Sequence, residues 1–252
     1  MSDVLVLCYH AISDRWPADL SIPRAALERQ LAFLAEAGYA GATFHDAVMG
    51  SAAAKTVAIT FDDAYRSVLR LAFPLLERYG FPGTVFVPTA FAAKPEPMAW
   101  PGIDHWRDGP YEDELVPMVW EELRALTEAG WEIGSHTRVH PRLTELDDEM
   151  LSEELERSRA DCEEGVGVPC RSLAYPYGAV DGRVAEAARS AGYAAAATLP
   201  RYLHAASPLR WPRVGVYRRD GEFRYRLKVS PTTRRLRASK AWRLLGLRQR
   251  VG

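Results

Sequence analysis

Three cysteines in 252 residues, Cys8, Cys162 and Cys170, are too few and too irregularly spaced for a disulfide framework, which fits a reducing compartment. Long apolar runs are missing as well. The opening one ends at Cys8 with no basic residue before it, and no later run reaches the roughly 18 residues that a membrane span needs. Neither a secretory leader nor a transmembrane segment is expected, and the chain reads as soluble and cytoplasmic. Net charge is almost absent, at -1 from 32 Lys+Arg and 33 Asp+Glu, but it is unevenly spread. Residues 201–252 hold 15 of the bases and, of the acids, only Asp220 and Glu222, so this segment carries +13 and the rest -14. What is present is ordinary globular composition, 48% hydrophobic and 26% charged. A chain of this length buries roughly 70% or more of its unfolded surface, so it needs no metal merely to fold. Any metal it holds should serve chemistry.

Four helix-period runs close on a glycine followed by an aromatic: Gly38-Tyr39, Gly80-Phe81, Gly130-Trp131 and Gly192-Tyr193. Glycine ends a helix in the left-handed conformation without steric cost, and the aromatic packs back or opens a strand. Short apolar segments alternate with these helices at Val4–Tyr9, Val57–Phe61, Thr84–Val87, Glu132–Ser135, Ser172–Tyr175 and Tyr193–Thr198. Pro23 marks the start of a helix with Leu27, Leu31 and Leu34 on one face. Thr144, with Asp147 three residues on, has the spacing of a capping box before Leu151 and Leu155. Such alternation implies an α/β fold with a parallel sheet inside its helices, and at this length a closed or nearly closed barrel. Residues 91–117, with Pro95, Pro97, Pro101, Pro110 and Pro117, break the rhythm and read as a long loop at the C-terminal mouth, where barrels bind ligands.

Four polar groups follow apolar strands and so converge on that mouth: His10, Asp62-Asp63, His136 and the Tyr175-Pro176-Tyr177-Gly178 turn. His136 and His140 are four apart, and one helical or turn-like winding lets both face a single ion. With a carboxylate from another strand end they make a His₂-carboxylate set with open positions, the pattern of catalytic zinc. Two adjacent carboxylates permit a division of labour, one on the ion and one accepting a proton, while either can also cap a following helix at 64–79.

The segments Thr60-Phe61-Asp62-Asp63, Ser135-His136-Thr137-Arg138-Val139-His140 and Tyr175-Pro176-Tyr177-Gly178 resemble, in order and spacing, the signatures of the polysaccharide deacetylase family, the NodB-homology domains of carbohydrate esterase family 4. Tyr9-His10 is similar to the opening of many bacterial members, and the resemblance spans about Val4 to Val216. It implies a distorted (β/α)7 barrel with its active site at the C-terminal mouth. Asp63, His136 and His140 would then bind one divalent metal, usually Zn2+, with Asp62 as catalytic base. The reaction implied is hydrolysis of N-acetyl groups on the amino-sugars of an oligosaccharide, polysaccharide or glycolipid. A deformylase or amidase on a small substrate, or a catalytically silent glycan- or membrane-binding barrel, are the alternatives.

The sequence departs from that pattern in two places. The arginine that many members carry two residues before the turn proline is Ala174, and Arg213 is the candidate to orient the base in its stead. The late Leu-x-His segment that supplies an acid is absent. His45, His105 and His204 fall in helix or loop segments, which leaves His10 as the expected proton donor to the amine. Tyr177, with the backbone N–H beside it, and Tyr175 are the expected substrate and oxyanion contacts. Trp100, Trp106 and Tyr111 either stack on sugar rings or fasten the loop. A barrel domain is expected over 1–217 and a basic tail over 218–252. The tail either meets an anionic surface, which would place the protein peripherally at a membrane, or docks on the acidic body. The substrate expected is an N-acetylated or lipid-linked glycan, with no nucleic acid partner.

Overall fold

The computed structural model describes residues 3–50, 55–200 and 206–238. Six strands lie parallel and side by side in sequence order: Asp3–Tyr9, Lys55–Phe61, Gly83–Val87, Glu132–Ser135, Ser172–Ala174 and Ala195–Thr198. Their interiors are nearly all buried because helices cover one face and barrel-filling side chains the other. The short segment 211–215 joins the two edges. Trp211-Pro212 pairs with Ala197 and Thr198, whereas Val214-Gly215 pairs with Leu7 and Cys8, so the sheet nearly closes into a barrel. One distortion lies at Lys55–Phe61. Ala40–Ala42 pairs with its first half, from Thr56, and Gly83–Val87 with its second, from Ile59.

All four glycine joints form as the sequence suggests. Gly38, Gly80, Gly130 and Gly192 have φ of 74°, 67°, 84° and 91°. The N–H of each following aromatic returns to a carbonyl five residues back, Tyr39 to Leu34, Phe81 to Leu76, Trp131 to Leu126 and Tyr193 to Ala188, at 3.0–3.1 Å. This is the Schellman closure, and each aromatic is buried at the helix end it seals.

Two expectations change, and the described part of the tail takes one of the two courses open to it. The helix cap at 147 is Asp147 itself, whose carboxylate accepts from the Met150 N–H at 2.8 Å, while Thr144 lies in a preceding turn. The segment after Asp63 does not enter a helix at once, because Asp63 and Ala64 are left-handed. A π turn at Val68–Ala72 leads into the Phe73–Tyr79 helix, where Pro74 has no N–H to give to the preceding turn. Finally, the chain beyond 217 continues as helices at Glu222–Val229 and Pro231–Ala238. Tyr225 and Val229 belong to the main core, and Arg234 makes two bonds, of 2.6 and 2.7 Å, to Asp3. The tail over 218–238 is therefore packed on the barrel; 239–252, like His204, lie outside the described residues. Among the described residues no helix is long and apolar enough to cross a membrane.

Candidate active site

Every strand-end group named above opens on one cleft of about 250 Å³ at the C-terminal mouth, lined by His10, Asp62, Asp63, His136, His140, Tyr175, Tyr177 and Arg213 together with Trp100, Pro101 and Ile103 from the long loop. The backbone there is strained. Among the described residues six non-glycines are left-handed, and five of them, Asp63, Ala64, Thr137, His140 and Tyr177, sit at this mouth. Each costs on the order of 1 kcal/mol or more, so the surrounding structure must hold them in place.

The His136–His140 loop shows how. It is not a helical winding. The Ser135 and Thr137 hydroxyls accept the N–H groups of Thr137 and His140 at 3.0 and 3.1 Å. Glu154 accepts those of Arg138 and Val139 at 2.8 and 3.2 Å. The result places Nε2 of both histidines 3.5 Å from Asp63 Oδ1. His136 gives its Nδ1–H to the carbonyl of Ala174 at 2.7 Å, which leaves Nε2 unprotonated and facing the carboxylate. Asp63 Oδ1 is itself buried without a hydrogen-bond partner.

The lone pair of His136 Nε2 and an unsatisfied carboxylate oxygen, with His140 Nε2 equally near, form a buried set that a cation between them would satisfy. Burial and then the neighbouring Asp62 charge push the Asp63 carboxyl well above its usual range. Burial holds His136 and His140 neutral. A donor set of one carboxylate and two neutral imidazoles fits a borderline divalent ion.

Asp62 has the opposite surroundings. Burial alone would raise its pKa, but the Arg213 charge, His136 and the Arg213 hydrogen bonds outweigh burial and hold it well below the carboxylate range. Arg213, only 1% exposed, meets the carboxylate as a fork, Nη1 to Oδ1 at 2.6 Å and Nη2 to Oδ2 at 2.7 Å. Its Nη1 also donates to the Thr60 hydroxyl at 3.0 Å, and its guanidinium lies 5.4 Å from the Phe86 ring centre. Arg213 is the one residue between the two pairings of the 211–215 segment. The seam that joins the barrel edges thus sets a buried guanidinium against Asp62.

His10 shares the cleft, and burial lowers its pKa to about 4. Its Nδ1 has no partner. Tyr177 is 41% exposed, with its hydroxyl on the Pro101 carbonyl at 3.2 Å and its ring against His140. Tyr175 differs from expectation. Its hydroxyl donates to the Leu209 carbonyl at 3.0 Å and its N–H to Ala197 at 3.1 Å, so only its ring is left for the cleft.

Two further residues border the cluster. Trp100 stacks on His140, with ring centres 4.4 Å apart at 21°, and thereby ties the long loop to the cluster. Trp106 and Tyr111 instead pack on each other, with Trp16 behind Trp106, and fasten the loop. Cys8, buried at the end of the first strand, has its thiol 3.4 Å from Asp62 Oδ2. Its place two residues before His10, on the same face of the strand, was the available signal. His45 lies in the Phe44–Met49 helix and His105 in a turn of the loop, away from the cleft.

A parallel barrel with a buried carboxylate–histidine cluster at its C-terminal mouth, backed by an Asp–Arg pair, defines a class of α/β barrel with a candidate metal site at its mouth. The polysaccharide deacetylase family model matches residues 50–196, and the chain belongs to that family. It is 25% identical over 193 residues to YxkH of Bacillus subtilis (strain 168), named for the same family; the match covers 75% of this chain but spans only 61% of that relative's length. Among solved structures, the Streptococcus pyogenes deacetylase PplD in complex with acetate is 19% identical, covers 90% of this chain and 98% of its own, and has a TM-score of 0.75. A de-N-acetylase from Aggregatibacter actinomycetemcomitans is also 19% identical, with 89% and 99% covered and a TM-score of 0.73. At these identities the likeness is one of fold.

Proposed function

We propose that the protein is a metal-dependent hydrolase that removes N-acetyl groups from the amino-sugars of an oligosaccharide, polysaccharide or lipid-linked glycan. The observation that carries this is the buried Asp63 oxygen, unpartnered and 3.5 Å from two imidazole nitrogens, next to an ionised carboxylate held by a buried arginine. Asp63, His136 and His140 would hold the ion, most simply Zn2+. Bound there, it would acidify a water and polarise the amide carbonyl.

The chain's own groups do the rest. Asp62, fixed in direction by the Arg213 fork, accepts the proton of the attacking water. The backbone N–H at Tyr177 offers a donor to the developing oxyanion. His10, neutral at pH 7 with its pKa near 4, cannot begin as the acid. It becomes one by taking the proton from Asp62, whose carboxylate lies within 4.8 Å of a His10 nitrogen. His10 then gives that proton to the departing amine, which leaves as free amine with acetate as co-product. A silent binding barrel would have no need to bury so costly a set of charges.

The test is metal content together with acetate release from a panel of N-acetylated and N-formylated glycans and small amides. The wild type is expected to hold about one equivalent of divalent metal and to release acetate from acetylated glycans. The His136→Ala, His140→Ala double variant should lose both. A double variant with metal and turnover intact refutes the site, and turnover confined to small amides refutes the substrate class.

A further inference from the structure

The Glu222–Val229 helix carries apolar side chains on both faces. Tyr225 and Val229 face the barrel, 1% and 2% exposed. On the opposite side Phe223 and Leu227, one turn apart, are 81% and 49% exposed. Arg224 and Arg226 border that ridge on either side, each more than half exposed and each held by one acid, Asp220 and Glu222 respectively. The next helix adds Leu236, 51% exposed, beside Arg235 and Arg237. A helix packed on a barrel and facing water normally turns a polar stripe outward. An outward apolar ridge edged by arginines, whose long stems let the charge reach upward while the ridge is covered, is the pattern of an interfacial helix.

Charge decides what covers it. Residues 218–252 carry twelve bases against Asp220 and Glu222. A second copy of the chain would set this cationic face against itself. The segment 239–252 brings Lys240, Arg243, Arg248 and Arg250 and no acid, so it too would add cation to cation. An anionic bilayer matches both halves of the pattern, with phosphate groups for the arginines and acyl chains for Phe223 and Leu227. The same surface repels the -14 carried by residues 1–200, so the asymmetry also orients the molecule.

We infer that the face made by Phe223, Leu227 and Leu236 with Arg224, Arg226, Arg235 and Arg237 docks on an anionic phospholipid bilayer. This stands apart from the catalytic proposal. The Glu222–Val229 helix starts just after the turn in which Arg218 bonds the carbonyls of Ser13 and Asp14, three and four residues after His10. Docking would therefore hold the barrel on the surface by an element that begins beside its mouth.

The experiment is co-sedimentation of the full chain with vesicles of phosphatidylglycerol and phosphatidylcholine in equal parts, and with phosphatidylcholine alone, at low and high salt. The wild type should bind the anionic vesicles only, and less at high salt. Phe223→Ser, Leu227→Ser together should weaken that binding at least tenfold, and so should Arg235→Glu, Arg237→Glu. Thermal unfolding should be unchanged in the Phe223/Leu227 variant, because its altered side chains face outward. Binding to neither vesicle, equal binding to both, or undiminished binding by the Phe223/Leu227 variant overturns the inference. So does a wild-type dimer in sedimentation velocity that the same variant breaks, since the occupant would then be a second copy.

Discussion

Replacing Arg213 by Met removes a buried fork while keeping an apolar stem of similar reach, and it separates two consequences that the structure links. The first is stability. Deleting one partner of a buried ion pair leaves the other charge unpaired and costs about 3–5 kcal/mol, a large share of the about 5–15 kcal/mol that a domain has. The second is acidity. With Arg213 present, the Asp62 pKa lies well below its ordinary value; without it, burial is opposed only by the lesser influences of His136 and His10, and the pKa rises. An opposite charge at this distance shifts a carboxylate by about 1–3 units. Because the group's folded pKa is depressed, the pair's stabilisation is complete above about pH 4, the unfolded value, and is lost only as pH falls through the folded value. The stability difference between wild type and Arg213→Met should therefore be full at pH 7 and shrink below about pH 4. Asp62 must be ionised to accept a proton, so the acidic limb of acetate release against pH should move upward by a unit or more. Urea unfolding at pH 7 and at pH 4 and below, with pH–rate profiles at measured metal content, reads both. Arg213→Lys keeps a charge without the fork and should lie between the two. An unmoved acidic limb with normal stability would refute the assignment.

Other substitutions test the remaining parts. Asp62→Asn keeps the size and accepts at one oxygen; metal content should stay near one equivalent while kcat falls about 10²–10⁴-fold, and loss of metal would reverse the roles of the two aspartates. His10→Gln should slow an acetamide sugar far more than an ester analogue whose leaving alcohol needs less protonation, whereas equal losses would make His10 a positioning residue. Trp100→Ala removes the ring stacked on His140 and should cost about 3 kcal/mol in unfolding free energy while raising KM more than it lowers kcat, as the loop loses its tie to the cluster. A Trp100→Phe variant should recover most of both.

The local signals in this chain were strong enough to be read without a fold. A glycine followed by an aromatic specifies its own helix end, since the left-handed glycine, the returning N–H and its carbonyl acceptor all lie within six residues. Short apolar strands interleaved with helices leave few topologies besides a parallel barrel, and polar residues directly after such strands must reach its mouth. The two histidines and two aspartates were legible for that reason. The cap at Asp147 and the delayed helix after Asp63 were not, because each turned on a backbone conformation that the residue types permit but do not require.

What only the tertiary structure decided lies further apart in sequence. Arg213 and Asp62 are 151 residues apart, and its place at a late strand made Arg213 a candidate without fixing that its guanidinium meets Asp62 as a fork. Its place follows from the barrel's closure, in which one short strand is shared by both edges. The docking of Trp100 on His140, the loss of both Tyr175 donors to neighbouring carbonyls, and the packing of 222–238 against the barrel depend likewise on which distant surfaces meet. Periodicity and turn chemistry act over a few residues and are written in the chain. Long-range pairing is set by the competition among all apolar surfaces for burial, and becomes definite only when the whole barrel is assembled.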